Sequence, residues 1–479
     1  MKNNKLALAC LLACSLIMPS MACADLNQEA SLDKCTVSVD GAIVREVTES
    51  QILLWAYDTL IDITVQGGKC DMVVKNISVE DLVVSGIGEY EILSPSQISF
   101  EAQPGEISLD TRAEEKQELM FVVCADADKL TEQVTFEHIL SEVSKVDYDL
   151  LLMPGDTVPS GQDTQFKNFV RSIGALPFPI YIAIGNHDLY NNSNSKAEYY
   201  YGESTYSFDY GPVHFVILDD AKSYITEDQY AWLESDISSS AMDYTILSCH
   251  VPPHDPRESE AHSLGEEDSL RFMSLMEQLD VDLVLNGHVH LYDQRIVNGV
   301  EYVISGGGGS PLYASEDEGG FFHYLVFTVD NNGIGHDVVQ VISPLYTPDI
   351  ASEVITDAES IAAEAISSLD SAKSMLDKMD ADGTISKDDF ANVISTIEKS
   401  ITSSSKSLEQ ARSDQEKQYW YECIGQANSA YSYALQAKIS AESFMESLDD
   451  MGDSGVPVYY YGGILAAIIV VMMVYFRKR

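Results

Sequence analysis

The chain has 479 residues, 76 acidic against 28 basic, giving a formal net charge of -48. That length exceeds one typical domain and predicts two to four modules. The charge excludes nucleic acid as a bulk-charge partner, and it repels anionic substrates at long range unless bound metals dominate locally.

Lys2 and Lys5 precede an apolar stretch, Leu6 to Met18, and Ala22-Cys23-Ala24 supplies the small residues of a cleavage site. Residues 1–24 are therefore expected to be a signal peptide, cut after Ala24. A lipid-modified Cys23 is the competing reading, and Ser20-Met21-Ala22 matches a lipoprotein box poorly. Residues 25–115 alternate short β-type runs with Gly, Asp, Asn and Ser breaks, the pattern of a small β-sandwich-like module. Cys35 and Cys70 share that module and an oxidising location, so a disulfide between them is expected. Asn76-Ile77-Ser78 and Asn191-Asn192-Ser193 are sequons, meaningful where exported proteins are glycosylated.

The central module, residues 116–344, carries five apolar runs, Leu119 to Cys124, Leu150 to Met153, Ile180 to Ile184, Tyr244 to Leu247 and Val281 to Leu285. Such runs read as buried strands, and helical patterns such as Thr131 to Lys145 lie between them. A polar cluster follows each run in turn: Asp126-Ala127-Asp128, Gly155-Asp156, Gly185-Asn186-His187-Asp188, His250 and Gly287-His288-Val289-His290. Open α/β sheets collect ligands just past the carboxyl ends of their strands, so these clusters can converge. Carboxylate, amide and imidazole donors suit first-row divalent or trivalent metals, whereas a soft thiolate site would need cysteines here. Each of the pairs Asp126 with Asp128 and His288 with His290 points one way on extended backbone. His254 and Arg257 follow in a proline-rich loop and are candidate phosphate contacts. Gly306 to Gly309 lacks the lysine and hydroxyl of a phosphate loop and reads as a plain flexible turn.

From 350 to 450 the pattern turns helical. Ile350, Val354, Ala358, Ile361, Ala365, Leu369, Ala372, Leu376 and Met379 keep spacings of three and four, as do Trp420 through Tyr431 to Leu448, with Phe390, Ile394, Ile397 and Ile401 as a third stripe. A helical bundle or stalk is expected. Asp380 to Asp389 resembles a calcium loop, but with Gly383 at the turn the first ligand position falls on Lys378, so a capped helix turn is the main reading. Residues 456–476 carry no charge, with Tyr459, Tyr460 and Tyr461 at one end and Arg477-Lys478-Arg479 beyond the other. They are expected to form one transmembrane helix that anchors an extracytoplasmic body to the cell membrane.

Taken in order, the clusters make residues 118–344 resemble a calcineurin-like metallophosphoesterase, the superfamily that includes purple acid phosphatases. Tyr206-Ser207-Phe208-Asp209-Tyr210-Gly211 agrees with that resemblance. It implies an α/β fold, a β-sandwich of two mixed sheets flanked by helices, here joined to the all-β module, the bundle and the membrane helix. It further implies two metal ions, Mn, Fe or Zn: Asp126, Asp156 and His290 at the first, Asp156, Asn186, His250 and His288 at the second. His187 would protonate the leaving group or stabilise the transition state, and Asp188 would orient it or sit as a surface carboxylate. Many members have histidine where this chain has Asp128, which would either ligate the first metal and favour Mn or Fe over Zn or stand behind the ligands. The implied activity is hydrolysis of phosphomonoesters by a metal-bound hydroxide. The alternatives are a phosphodiesterase acting on nucleotides or lipid head groups, and a non-catalytic metal-binding surface protein. Substrate and oligomeric state are not legible.

Overall fold

A computed structural model describes residues 26, 28–32, 34–127, 134–190, 194–257 and 262–454. The expected signal peptide, Asp128, the sequon at Asn191 and the expected membrane helix lie outside the described residues. Among the described residues no helix is long and apolar enough to cross a membrane. The chain forms two compact units, one built from residues up to Tyr313 with Gly320–Gln340, the other from Ala314–Gly319 with the residues from Val341 onward.

In the first unit, two five-stranded sheets come from residues 29–110. Strand Cys35–Asp40 shows why they pair face to face: Cys35, Val37 and Val39 are buried while Thr36, Ser38 and Asp40 are exposed, the period-2 signature of a half-buried strand. Val37, Ile63 and Leu109 from one sheet pack with Ile52, Met72 and Phe100 from the other in a single core. The expected disulfide is present: Cys35 and Cys70, with Cα atoms 6.1 Å apart, tie the two sheets together.

Two further sheets hold the candidate site. One runs Ile180–Ala183, Leu150–Pro154, Leu119–Val123, His323–Asp330, Gly333–Gln340. The other runs Tyr206–Tyr210, Val213–Ile217, Tyr244–Ser248, Leu283–Asn286, Val300–Ser305, Tyr292–Val297. Both mix parallel and antiparallel pairs. Phe121 of the first meets Phe215 of the second edge to face at 5.6 Å, and Tyr181 stacks on Phe208 at 3.8 Å. Helices Glu227–Ser239 and Glu266–Gln278 cover the second sheet with Tyr230, Leu233, Ile237, Phe272 and Met276. The hairpin pairs Val300–Ser305, a strand expected from the β-type run Glu301 to Ile304, with Tyr292–Val297, which the sequence reading missed. Asn298 and Gly299 turn it with φ of 54° and 97°, as a tight two-residue hairpin requires.

Asn76 joins the sandwich to the central sheets. Its side-chain amide donates to the carbonyls of Ala56 and Ile180, and its oxygen accepts from the Ile180 N–H, each at 2.8 Å. Those bonds satisfy the edge strand Ile180–Ala183, which otherwise exposes unpaired backbone. They also correct the sequon reading, since a buried, fully engaged amide has no place for a glycan on the folded chain.

His214 links hairpin and helix in the same unit, at 2.7 Å from Asp209 and 3.0 Å from Asp236. Burial pushes the ring down from 6.5, but the two carboxylates more than offset it and raise it to about 9. The folded-state value lies above the unfolded one, so this contribution is full below pH 6.5 and is lost as pH rises through 9. Its upper bound is about 3 kcal/mol. We expect the Tm difference between wild type and His214→Gln to be largest near pH 6 and to shrink by pH 10. A difference independent of pH contradicts the assignment.

The second unit is three long helices, Pro348–Ala381, Ala391–Lys417 and Trp420–Ser454. Thr347 caps the first, accepting from the Ile350 N–H at 3.3 Å, with Pro348 in its first turn. The expected stripes are buried from Ala358 to Met379, but the first turns bury Ala351 and Ile355 rather than Ile350 and Val354, and Tyr431 is 38% exposed while Ala430 is buried. A helix advances 3.6 residues per turn, so a stripe read at fixed spacing drifts off the buried face. At the turn, the Asp382 carboxylate accepts from the Thr384 N–H at 3.0 Å and Asp380 from the Lys387 N–H at 2.9 Å, while Lys387 pairs with Asp377. Asp380 to Asp389 is a helix-ending turn in which the Asp380 and Asp382 carboxylates are engaged locally.

Candidate metal centre

Strand direction gathers the clusters. Leu119–Val123, Leu150–Pro154 and Ile180–Ala183 pair in parallel, as do Val213–Ile217, Tyr244–Ser248 and Leu283–Asn286. The carboxyl ends within each set therefore lie at one end of its sheet, and the two sheets meet there through backbone. The Ala125 N–H of the first donates to the Ser305 carbonyl of the second at 3.0 Å, while Gly287 N–H to His250 at 3.0 Å and Asp126 N–H to Gly155 at 3.2 Å join loops within each sheet.

The glycines within the clusters are explained by crowding. A Cβ on Gly185 would stand 2.1 Å from the Asp156 nitrogen, and one on Gly287 2.7 Å from Asp126 Oδ2. Asp126, Asp156 and His288 themselves sit at φ of 58°, 53° and 69°, where a side chain costs energy. Such strain persists only where the surroundings enforce it, and it concentrates at functional sites. Backbone supplies the enforcement: the Asp126 carbonyl accepts from the Ser310 N–H at 3.1 Å, and Asp126 Oδ2 from the His288 N–H at 2.8 Å.

Asp126 and Asp156 are 0% and 3% exposed, and a ligand oxygen from each lies within 4.8 Å of the other and of a His250 nitrogen. Among the described residues this is the one such grouping of histidine, cysteine and acidic ligand atoms. His250 Nδ1 stands 2.8 Å from the Pro154 carbonyl and His290 Nδ1 2.6 Å from that of Pro311. A carbonyl only accepts, so each ring carries its proton on Nδ1 and turns the Nε2 lone pair inward. Those lone pairs face Asp156 Oδ1 and Asp126 Oδ1, each at 3.4 Å. Burial pushes His250 below its ordinary range, which keeps it neutral. His250 Nε2 is also 3.0 Å from Asn186 Oδ1 and 3.1 Å from His288 Nδ1. Acceptors crowded against acceptors in a dry pocket, with histidine N–H groups tied to carbonyls, fit metal cations between them.

His187 stands beside this set. Its Nδ1 is 2.8 Å from the Pro159 carbonyl, its Nε2 is 3.9 Å from Asp156 Oδ2, and the Tyr190 ring lies 4.5 Å away. Asp188 is fully buried, which corrects the expectation of a surface carboxylate. It accepts from the backbone of Thr157, Val158 and Gly185 at 2.9 to 3.1 Å and from the Thr157 hydroxyl at 2.6 Å. Asp188 thus clamps the loops that carry Asp156 and His187, a positioning place rather than a catalytic one.

Several contributors were missed. Asp220, at the end of a strand, accepts the His250 N–H at 2.8 Å; its place after the apolar run Val213 to Leu218 was a readable signal. Gly306 to Gly309 is no flexible turn: a Cβ on Gly308 would meet the Ala125 carbonyl at 2.3 Å, and the Gly308 N–H binds that carbonyl at 2.9 Å. Tyr313 stacks on His290 at 3.9 Å. Nothing near Tyr313 in sequence announces that contact.

Known proteins resemble parts of this chain. Residues 122–292 match the model of the family described as calcineurin-like phosphoesterase. Purple acid phosphatase 22 of Arabidopsis thaliana is 30% identical over 206 residues, covering 36% of this chain and 46% of that protein. A probable cyclic nucleotide phosphodiesterase of Vesicomyosocius okutanii is 22% identical over 201 residues, covering 40% of this chain and 84% of that protein. A solved purple acid phosphatase from yellow lupin, Lupinus luteus, superposes with a TM-score of 0.42 at 16% identity, over 60% of this chain and 72% of that one. The chain thus spans about half the length of that Arabidopsis phosphatase. Residues 122–292 thus resemble the calcineurin-like phosphoesterase family in sequence.

Proposed function

We propose that this chain is a metal-dependent hydrolase of phosphomonoesters. The observation that carries the reading is the convergence of Asp126, Asp156, Asn186, His250, His288 and His290, with inward lone pairs, beside His187. Asp126, Asp156 and His290 would hold one Mn, Fe or Zn ion, and Asp156, Asn186, His250 and His288 a second. Metals held there supply Lewis acidity and an activated water. The side chains do the rest. Pro159 fixes a proton on His187 Nδ1, so Nε2 is the atom that gains a proton and gives it to the leaving oxygen. A diester reading has one specific support, the relative named as a cyclic nucleotide phosphodiesterase that this chain matches over most of its length. We also place the body outside the cytoplasm on a membrane anchor, a reading supported by the apolar stretches 6–18 and 456–476.

The test is metal content and turnover of p-nitrophenyl and bis(p-nitrophenyl) phosphate with Mn, Fe and Zn. Monoester turnover should dominate, and His187→Ala should lower kcat by roughly 10²- to 10⁴-fold. Dominant diester turnover favours the second reading. Bound metal with no turnover of either ester makes the chain a non-catalytic metal-binding protein.

A further inference from the structure

Arg257 lies beside the metal centre in a built mount. Asp255, itself 1% exposed, accepts from Arg257 Nε at 2.9 Å and Nη2 at 2.7 Å, and from the Arg257 backbone N–H at 3.0 Å. The guanidinium carbon lies 4.9 Å over the Tyr313 ring, which stacks on His290 at 3.9 Å. Nη2 also donates to His262 Nδ1 at 2.9 Å, and the His262 ring is 5.3 Å from that of His288. Arg257 is therefore linked on one side to His290 and on the other to His288.

The donor count gives this mount its meaning. A guanidinium has five N–H donors in one plane. Nε and Nη2 are engaged, whereas Nη1 has no partner among the described residues, on a side chain 22% exposed. Two N–H groups are thus held ready on a cation whose plane is fixed by a carboxylate below and an aromatic ring alongside. A solvated surface arginine needs neither support. Neutral hydrogen-bond acceptors would also bind Nη1, but a cation beside a metal centre favours the ligand with most negative charge.

Resting on the phosphoesterase reading, we propose that Arg257 is the specificity residue for phosphomonoesters, taking a terminal phosphate oxygen through Nη1. A monoester presents three terminal oxygens and two negative charges. A diester presents two and one, and puts an uncharged ester oxygen and its substituent in place of the third. The arm therefore selects against diesters, and Asp255 and Tyr313 act as positioning residues that hold it.

The experiment uses the full chain loaded with metal. Arg257→Met should lower kcat/KM for p-nitrophenyl phosphate by roughly 10- to 100-fold while bis(p-nitrophenyl) phosphate turnover stays within about threefold. Affinity for inorganic phosphate, read by calorimetry, should fall by a similar factor with metal content unchanged. Arg257→Lys should recover little, because lysine has neither the fork that Asp255 holds nor the plane that Tyr313 supports. Equal loss on both esters, or unchanged phosphate affinity, overturns the proposal. If wild type hydrolyses neither ester, the phosphoesterase reading fails, and the phosphate comparison still decides whether Arg257 receives the anion.

Discussion

The substitution Asp156→Asn is expected to strip the protein of metal and lower phosphoester turnover by on the order of 10³-fold or more, without weakening the metal-free fold. Asp156 is placed to serve both metal positions. Its Oδ1 lies 3.4 Å from His250 Nε2, and an oxygen of Asp156 lies within 4.8 Å of one from Asp126. Two buried carboxylates that close repel by roughly 3 kcal/mol or more at an effective dielectric of about 20. Asparagine keeps the shape and the oxygen that accepts the His187 N–H at 2.8 Å, and it removes the repulsion. Stability and function should therefore part company. Metal should raise the Tm of wild type and leave that of the variant unmoved, while the metal-free variant melts at or above metal-free wild type. A variant that still binds two equivalents of metal and turns over at wild-type rate shows that Asp156 is not a shared ligand.

The ligands were legible because each follows a strand, and a strand end is readable from an apolar run and the break after it. Asp156 and Asn186 carry a second signal, the preceding glycine, which the structure explains by contacts too short for a Cβ. The sandwich was legible for a like reason: Cys35, Val37 and Val39 alternate with polar residues at the period of a strand. What escaped lacks a local pattern. Arg257 was readable as a phosphate candidate, but its seat over Tyr313 was not: the two are more than fifty residues apart and meet because two loops from different strands fold over the same candidate ligands. Asp188 was read as orienting His187 or as a surface carboxylate, and the choice depends on Thr157 arriving from the neighbouring strand to bury it. Gly306 to Gly309 has no side chains to read, so its packing against Ala125 and His323 is visible only in three dimensions. Tyr431 fell on the stripe by spacing, but Ala430 takes the buried place between Ala427 and Ala434, which leaves Tyr431 38% exposed.

Gly185→Ala is expected to cost on the order of 10²-fold or more in metal affinity from the addition of one methyl group. The new Cβ would stand 2.1 Å from the Asp156 nitrogen and 2.3 Å from its Oδ1, neither of which is the far end of a flexible side chain. Relief requires moving Asp156, whose own φ of 53° leaves little room, or moving the loop that Asp188 ties through the Gly185 N–H at 2.9 Å. Both routes displace a ligand, and overpacking of this kind commonly costs about 1 to 3 kcal/mol besides. Gly425, in the helix Trp420–Ser454, provides the opposite sign from the same chemistry: its added Cβ meets nothing within 4 Å, and alanine is the better helix former by about 1 kcal/mol. Metal titration and thermal melts of the two variants separate crowding from backbone propensity. Wild-type metal affinity in Gly185→Ala would mean that the Asp156 loop yields freely, and that the centre is less rigid than its crowding implies.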